Sequence, residues 1–94
     1  MTSQSSEDTK HRTQATTALR EAEQRLRRFR KATRCLDRTS ELQAAEERLS
    51  DANAHERSVE RLTGEDKQLR ARLSKLNSVY QHALETFNRR CTRR

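Results

Sequence analysis

The sequence predicts an all-α protein, and three observations support this fold class. The 94-residue chain has no Pro and a single Gly, so little in it interrupts a helix. Charged residues make up 37% of it. Apolar residues recur at spacings of three and four, the period of helices packed on helices. We therefore expect a coiled-coil helical hairpin or a three-helix bundle, with an extended coiled coil as the alternative, in one domain over residues 13–94.

The N-terminal segment differs in composition from the rest of the chain. Residues 1–12 are polar, rich in Ser and Thr, and contain no apolar anchor beyond the initial Met. Such a segment buries too little apolar surface to fold, so it is predicted to be a disordered tail. It also lacks the hydrophobic stretch of a secretory signal, which predicts that the protein is not secreted.

The first helix is predicted over residues 13–37. Its apolar seam follows steps of three and four, and it consists of Leu19, Ala22, Leu26, Phe29, Thr33 and Leu36. These positions correspond to the a and d positions of a heptad.

The second helix is predicted over residues 40–62. Ser40 followed by Gln43 fits a capping box, in which each residue satisfies a free backbone N–H of the other. The seam resumes with Leu42, Ala45, Leu49 and Ala52, slips by three residues, and continues with His55, Val59 and Leu62. We expect His55 to be a hydrogen-bonded interface histidine.

The third helix is predicted over residues 65–91, and Gly64 leaves two interpretations open. Gly64 either ends the preceding helix in a left-handed conformation, with Thr63 and Asp66 capping the next, or lies within one continuous helix. The seam here consists of Asp66, Leu69, Leu73, Leu76, Tyr80, Ala83 and Phe87.

The apolar content is low for a chain that folds alone. Leu, Ile, Val and Phe account for 14 of the 94 residues, below the range of ordinary globular domains. We therefore predict that the seam pairs with a second copy or another helical protein. The predicted interface residues are Leu19, Leu26, Phe29, Leu36, Leu42, Leu49, Val59, Leu62, Leu69, Leu73, Leu76, Tyr80 and Phe87.

Charge is distributed in blocks along the chain. Residues 10–38 carry a net charge of +7, residues 39–68 carry −4, and residues 69–94 carry +6. The acidic middle suits an antiparallel neighbour of the basic first helix, whose Glu21 and Glu23 also precede Arg25 and Arg27 by four residues, a favourable order for helix ion pairs. The middle cannot neutralise both basic blocks, so surplus positive charge faces solvent or an anionic partner.

The densest basic stretch, RLRRFRKATR at residues 25–34, is the predicted anion-binding face. RNA, including duplex RNA, or DNA would be held there through backbone phosphates. The candidate residues are Arg27, Arg28, Arg30, Lys31, Arg34, Arg89 and Arg90, with Arg93 and Arg94 assisting. The three aromatic residues lie at seam positions, where we expect core packing and not base stacking.

Enzyme chemistry is not predicted. The three His are scattered, no Cys or His neighbours Cys35 or Cys91 at metal-ligand spacing, and one Gly cannot form a phosphate-binding loop. We therefore expect no catalytic residue, metal site, cofactor or small-molecule substrate. No apolar run is long enough for a membrane span, and two distant Cys predict free thiols in a reducing compartment, cytoplasmic or nuclear.

Together these features predict a non-enzymatic coiled-coil interaction or scaffold protein, a small subunit of a larger assembly or a homo-oligomer. The alternative is an Arg-rich helical nucleic-acid-binding protein that uses the basic face of residues 25–34.

Overall fold

Three helices form a bundle in which consecutive helices run antiparallel, so that the first and third run parallel. They are α1 (Ser3–Lys31), α2 (Cys35–Arg57) and α3 (Gly64–Cys91). The computed structural model describes the backbone of residues 3–91 and the side chains of residues 7–91. The predicted all-α class is confirmed, and of the predicted architectures the three-helix bundle is the one formed.

The core is a single line of apolar side chains enclosed by the three helices. Helix α1 packs most closely against α2. The core residues are Ala15, Ala18, Leu19, Ala22, Leu26, Phe29, Leu42, Ala45, Leu49, Ala52, Leu69, Leu73 and Leu76. Most of the seam is therefore buried within one chain. The helices therefore pair within one chain, which answers a question that the sequence left open.

Helix α1 begins far earlier than predicted. It includes residues 3–12, which belong to the segment predicted to be a disordered tail. Residues 1 and 2 of that segment lie outside the described residues. Polar contacts, and not apolar ones, attach this region to the rest of the bundle. Asp8 is 3% exposed and accepts hydrogen bonds from two backbone N–H groups of the α2–α3 loop. Over residues 7–12 the structure has a helix where a tail was predicted, because that prediction considered only apolar anchors.

The first helix also ends earlier than predicted, at Lys31 instead of residue 37. Three basic residues in the last turn of α1 suit the negative end of its dipole. The Arg38 side chain donates to the Ala32 carbonyl at 2.8 Å, which satisfies a carbonyl that the helix end leaves free. Thr33 therefore lies in a loop, and Leu36 is 74% exposed instead of buried.

Helix α2 is shifted toward the N-terminus relative to its prediction. It starts at Cys35, after an extended Arg34, so Ser40 and Gln43 lie inside the helix and the predicted capping box at its start was wrong. Buried positions continue in unbroken phase to Glu56, which takes the place expected for His55. The predicted three-residue slip therefore does not occur.

The loop after α2 resolves the two interpretations of Gly64. Thr63 caps α3: its hydroxyl accepts from the Asp66 N–H at 3.3 Å, and the Asp66 carboxylate accepts from the Thr63 N–H at 2.8 Å. The reciprocal cap agrees with the first interpretation, but Gly64 is the first residue of α3 and has no positive φ. The second helix ends at Arg57, so Leu62 falls in the loop and is 48% exposed.

The two cysteines form an intrachain disulfide, contrary to the prediction of free thiols. The Cys35 and Cys91 Cα atoms lie 5.6 Å apart, because α2 begins and α3 ends at the same end of the bundle. The sequence separation of 56 residues concealed a contact that the topology creates. Within residues 3–91, no helix is long and apolar enough to cross a membrane.

Candidate functional site

Two basic segments distant in sequence meet at one end of the bundle. Helix α1 and its following loop supply residues 27–34, and the last turn of α3 supplies Arg89 and Arg90. All seven predicted anion-binding residues are exposed there. We call this surface the basic end, and it comprises Arg27, Arg28, Arg30, Lys31, Arg34, Arg89 and Arg90. Arg93 and Arg94, predicted to assist, lie outside the described residues.

Convergence of the two segments follows from the antiparallel topology. The Cys35–Cys91 disulfide joins the start of α2 to the end of α3. Arg30 and Arg90 line one cavity, although they lie far apart in the sequence. Like charges brought together in this way repel one another, so an anionic ligand would relieve an existing electrostatic cost.

Little of this charge is neutralised inside the molecule. From the stretch 25–34, only Arg25 forms an ion pair with α2, to Glu41 at 3.0 Å. Among the side chains that the structure describes, none of the seven residues of the basic end has a carboxylate within 4 Å. The acidic middle therefore meets only part of the basic stretch, and the rest faces outward.

Apart from the Arg48–Asp51 pair within α2, the ion pairs of the described residues connect different helices. Glu21 pairs with Arg48 at 3.3 Å, and Glu23 pairs with Arg72 at 3.5 Å. The predicted pairs of these two glutamates with Arg25 and Arg27, four residues along α1, are absent from the described contacts. The carboxylates turn instead toward cations on the neighbouring helices.

Arg38 has a structural role at the basic end that sequence reasoning missed. Besides donating to the Ala32 carbonyl, its guanidinium carbon lies 5.8 Å from the centre of the Phe29 ring. That distance is within the range of a cation–π contact. Arg38 thus closes α1 and covers one edge of the core. The local signal available in the sequence was a basic residue shortly after a helix end.

A groove between α1 and α3 continues from the basic end toward the middle of the bundle. It consists of two adjoining cavities of about 360 Å³ and about 240 Å³ that share Leu26, Arg30 and Val79. Leu26 and Leu76 are buried in its floor, whereas Val79 and Ala83 are only partly buried. The apolar side chains of α3 are buried in its N-terminal half and only partly buried in its C-terminal half, where the groove lies.

The predicted interface seam is divided by this packing. Eight of its residues are buried in the core of the chain: Leu19, Leu26, Phe29, Leu42, Leu49, Leu69, Leu73 and Leu76. Val59 is buried in the α2–α3 loop, and Tyr80 and Phe87 are partly buried against the core. Leu36 and Leu62 are exposed at opposite ends of the bundle. Burial raises the pKa of Tyr80, whose phenol also faces the charge of Glu46.

The opposite end of the bundle contains a buried polar cluster. Arg12 donates to Asp66 at 2.8 Å, and this hydrogen bond lowers the pKa of the Asp66 carboxyl despite its burial. Asp8 has a lowered pKa because it accepts from the Glu60 and Arg61 backbone N–H groups. These bonds attach the start of α1 to the α2–α3 loop and the start of α3.

Two further contacts complete this end. Glu56 is 2% exposed and pairs with Arg70 at 2.9 Å, but burial raises its pKa. Its Oε1 atom has no hydrogen-bond partner among the residues that the structure describes. His55 Nδ1 lies 3.0 Å from His11 Nδ1, so the expected hydrogen-bonded histidine has its partner on α1. Among the described residues, no three His, Cys, Asp or Glu side chains are placed to hold a metal ion. These contacts define a structural cluster.

Comparison with known proteins adds no further assignment. No protein-family model matches the chain, and no curated protein or solved structure is significantly similar to it. The geometry and charge of the basic end and the adjoining groove therefore determine which function is proposed below.

Proposed function

We propose that this chain is a non-enzymatic interaction protein that binds an acidic protein partner through the basic end, as a small subunit of a larger assembly. The observation that carries this proposal is the convergence of cations from two distant segments, without carboxylate partners among the described residues. Without an anionic ligand, repulsion among these cations would destabilise the folded chain with no compensating interaction.

The partly exposed apolar side chains beside the basic end favour a protein partner. Protein interfaces combine an apolar centre with a polar or charged rim. Val79 and Ala83 would supply part of such a centre, next to Arg30 and Arg90. Phosphate recognition, in contrast, needs cations and hydrogen-bond donors and makes no use of an apolar floor.

Self-association through the leucine seam is not part of this proposal. Most of the seam lies in the core of a single chain, where it is inaccessible to a second copy. An oligomer would require a different surface, and the exposed Leu36 and Leu62 lie at opposite ends of the bundle.

Nucleic acid is the second candidate partner, and the same cation convergence supports it. Helix-borne Arg and Lys side chains can follow a phosphate backbone. Their binding releases counterions from the nucleic acid, so the affinity decreases steeply as the salt concentration rises. Duplex RNA or DNA would be recognised by shape and charge, because the aromatic residues are committed to core or partly buried positions.

Fluorescence anisotropy separates these candidates. The probes are labelled polyglutamate, duplex RNA, duplex DNA and single strands, each titrated at about 150 and 300 mM salt, where screening differs. Polyglutamate binding at the lower salt concentration is expected. A preference for one nucleic acid with a steep salt slope would favour the second candidate. Absence of binding by every probe would overturn the proposal of an anion-binding function.

A charge-reversal pair locates the binding surface. The triple variant Arg28→Glu, Arg30→Glu, Arg34→Glu should weaken binding at least tenfold while leaving the helical circular dichroism intact. The matched control reverses three exposed cations away from the basic end: Lys10, Arg57 and Lys67. Equal losses in the two variants would mean that net charge, and not the basic end, determines binding.

The predicted cytoplasmic or nuclear location stays a prediction, and the disulfide argues against it. Disulfides persist mainly in oxidising compartments, whereas the cytosol keeps thiols reduced. Maleimide labelling of the protein before cell lysis would measure the oxidation state of Cys35 and Cys91. Full protection from the reagent would exclude the predicted location.

A further inference from the structure

The α1–α3 groove is long enough to hold a helix of several turns. Its lining extends along α3 from Arg72 to Arg90, which at a rise of about 1.5 Å per residue corresponds to about 27 Å. The groove runs along the helix axes and is open to solvent along its side. A partner helix of about 18 residues, or five turns, would therefore match its length.

The groove has an apolar floor and a charged rim. Leu26, Leu76, Val79 and Ala83 form the floor. A stripe of apolar residues at helical spacing on a partner would cover the partly buried Val79 and Ala83 and remove their surface from water.

The rim charge is almost entirely positive. Six cations line the two cavities: Arg27, Arg30, Arg38, Arg72, Lys75 and Arg90. The one carboxylate in the lining, Glu23, is already paired with Arg72 at 3.5 Å. The complementary occupant therefore carries Asp and Glu on both sides of its apolar stripe.

We propose that the α1–α3 groove docks an acidic amphipathic helix of a partner protein. This inference depends on the proposed function and specifies its partner and its binding surface. Strand addition is unsuited to the site, because helical walls offer no free row of backbone donors and acceptors. Helix α2 of a second copy is also unsuited, because its own apolar face, including Leu42 and Leu49, is buried in its bundle.

A designed peptide pair tests the proposal directly. The first probe is an 18-residue labelled peptide with Leu at alternating spacings of three and four and Glu at most other positions. The second has the same composition, with the Leu residues distributed around all sides of the helix. We expect the first to bind at least tenfold more tightly. Equal binding by the two peptides would overturn the groove proposal.

Matched substitutions on α3 test the location. Ala83→Gln places a larger polar side chain in the floor and should weaken binding of the amphipathic peptide at least tenfold. Ala71→Gln makes the same change at an exposed position of α3 outside the groove lining and should leave the affinity unchanged. Retention of full affinity by Ala83→Gln, with a native circular dichroism spectrum, would overturn the proposal.

Comparison with polyglutamate separates failure of this inference from failure of the proposed function. If polyglutamate binds the basic end but the amphipathic peptide gains nothing over its scrambled control, the groove proposal alone fails. If neither acidic probe binds, both proposals fail. If duplex nucleic acid binds and Ala83→Gln has no effect on any probe, the groove is not the docking site.

Discussion

Arg12 Nε lies 2.8 Å from Asp66 Oδ1, and this ion pair joins the early part of α1 to the first turn of α3. The Asp66 side chain is fully buried, whereas that of Arg12 is 20% exposed. Asp66 also caps α3 through Thr63. One carboxylate thus stabilises a helix end and a contact between helices, which makes it a sensitive position in the fold.

Removing the charge of Asp66 should destabilise the bundle. Asp66→Asn keeps the shape and some capping capacity but leaves the guanidinium of Arg12 without its anion. We expect a loss of about 2–3 kcal/mol, below the range for fully buried pairs because Arg12 is partly solvated. Urea denaturation followed by circular dichroism measures the change in unfolding free energy.

An exposed pair provides the control for that measurement. Arg48 and Glu21 are 40% and 48% exposed and lie 3.3 Å apart. Solvent screening should keep the coupling energy of this pair below about 0.5 kcal/mol. A double-mutant cycle giving equal coupling for both pairs would contradict the role assigned to Asp66.

Three buried carboxyls predict a stability maximum on the acid side of neutrality. Burial raises the pKa of Glu56 above its ordinary value of 4.5, so its charged form is less favoured in the folded state. As pH falls through that raised pKa, Glu56 takes up a proton and stability increases. The pKa values of Asp8 and Asp66 are lowered below 3.8, so the stability that they contribute is lost as pH falls below about 4.

Substitutions distinguish the two limbs of this pH dependence. Glu56→Gln should remove the increase on moderate acidification and leave the loss at lower pH. Asp8→Asn should reduce the loss at lower pH and leave the increase intact. Melting temperatures of the three proteins between about pH 3 and 7 cover both windows. A wild-type protein that only loses stability from pH 7 downward, in parallel with Glu56→Gln, would contradict the assignment.

The sequence predicted the fold class and most of the core because periodicity reports directly on burial in helices. It was less successful where polar groups determine the structure. The early part of α1 looks disordered by composition, yet Asp8 and Arg12 hold it through bonds to residues 60, 61 and 66. Such partners are more than 45 residues away in sequence, so no local pattern identifies them.

The candidate site was predicted as residues but not as an assembled surface. Charge density alone singled out residues 25–34 and Arg89 and Arg90. Their convergence required the antiparallel topology, which the sequence left open among three architectures. The α1–α3 groove required still more, because it depends on how completely the other two helices cover Val79 and Ala83 in the C-terminal half of α3.

Burial of the seam within one chain predicts a monomer whose stability depends on the leucine core. Leu73 is 3% exposed, so Leu73→Ala should cost about 2–5 kcal/mol of unfolding free energy. The partly buried Val79 is the comparison position, and Val79→Ala should cost less. The melting temperature should not change with protein concentration. A concentration-dependent melt, or a dimer in sedimentation equilibrium at micromolar concentration, would favour seam-mediated association instead.

The Cys35–Cys91 disulfide closes a loop with a sequence separation of 56 residues, and its removal should therefore destabilise the bundle substantially. The loss of loop-closure entropy in the unfolded chain corresponds to about 4 kcal/mol for a loop of this length. Urea denaturation with and without a reductant measures this difference. The variant with Cys35→Ser and Cys91→Ser should match the reduced protein and should not respond to the reductant.

Because the disulfide lies at the basic end, the reduced protein should also fray first at the last turn of α3. Hydrogen exchange would detect this fraying as faster exchange near Arg89 and Arg90. Equal denaturation midpoints for the oxidised and reduced proteins, with thiol oxidation verified by mass, would show that packing alone holds this end together.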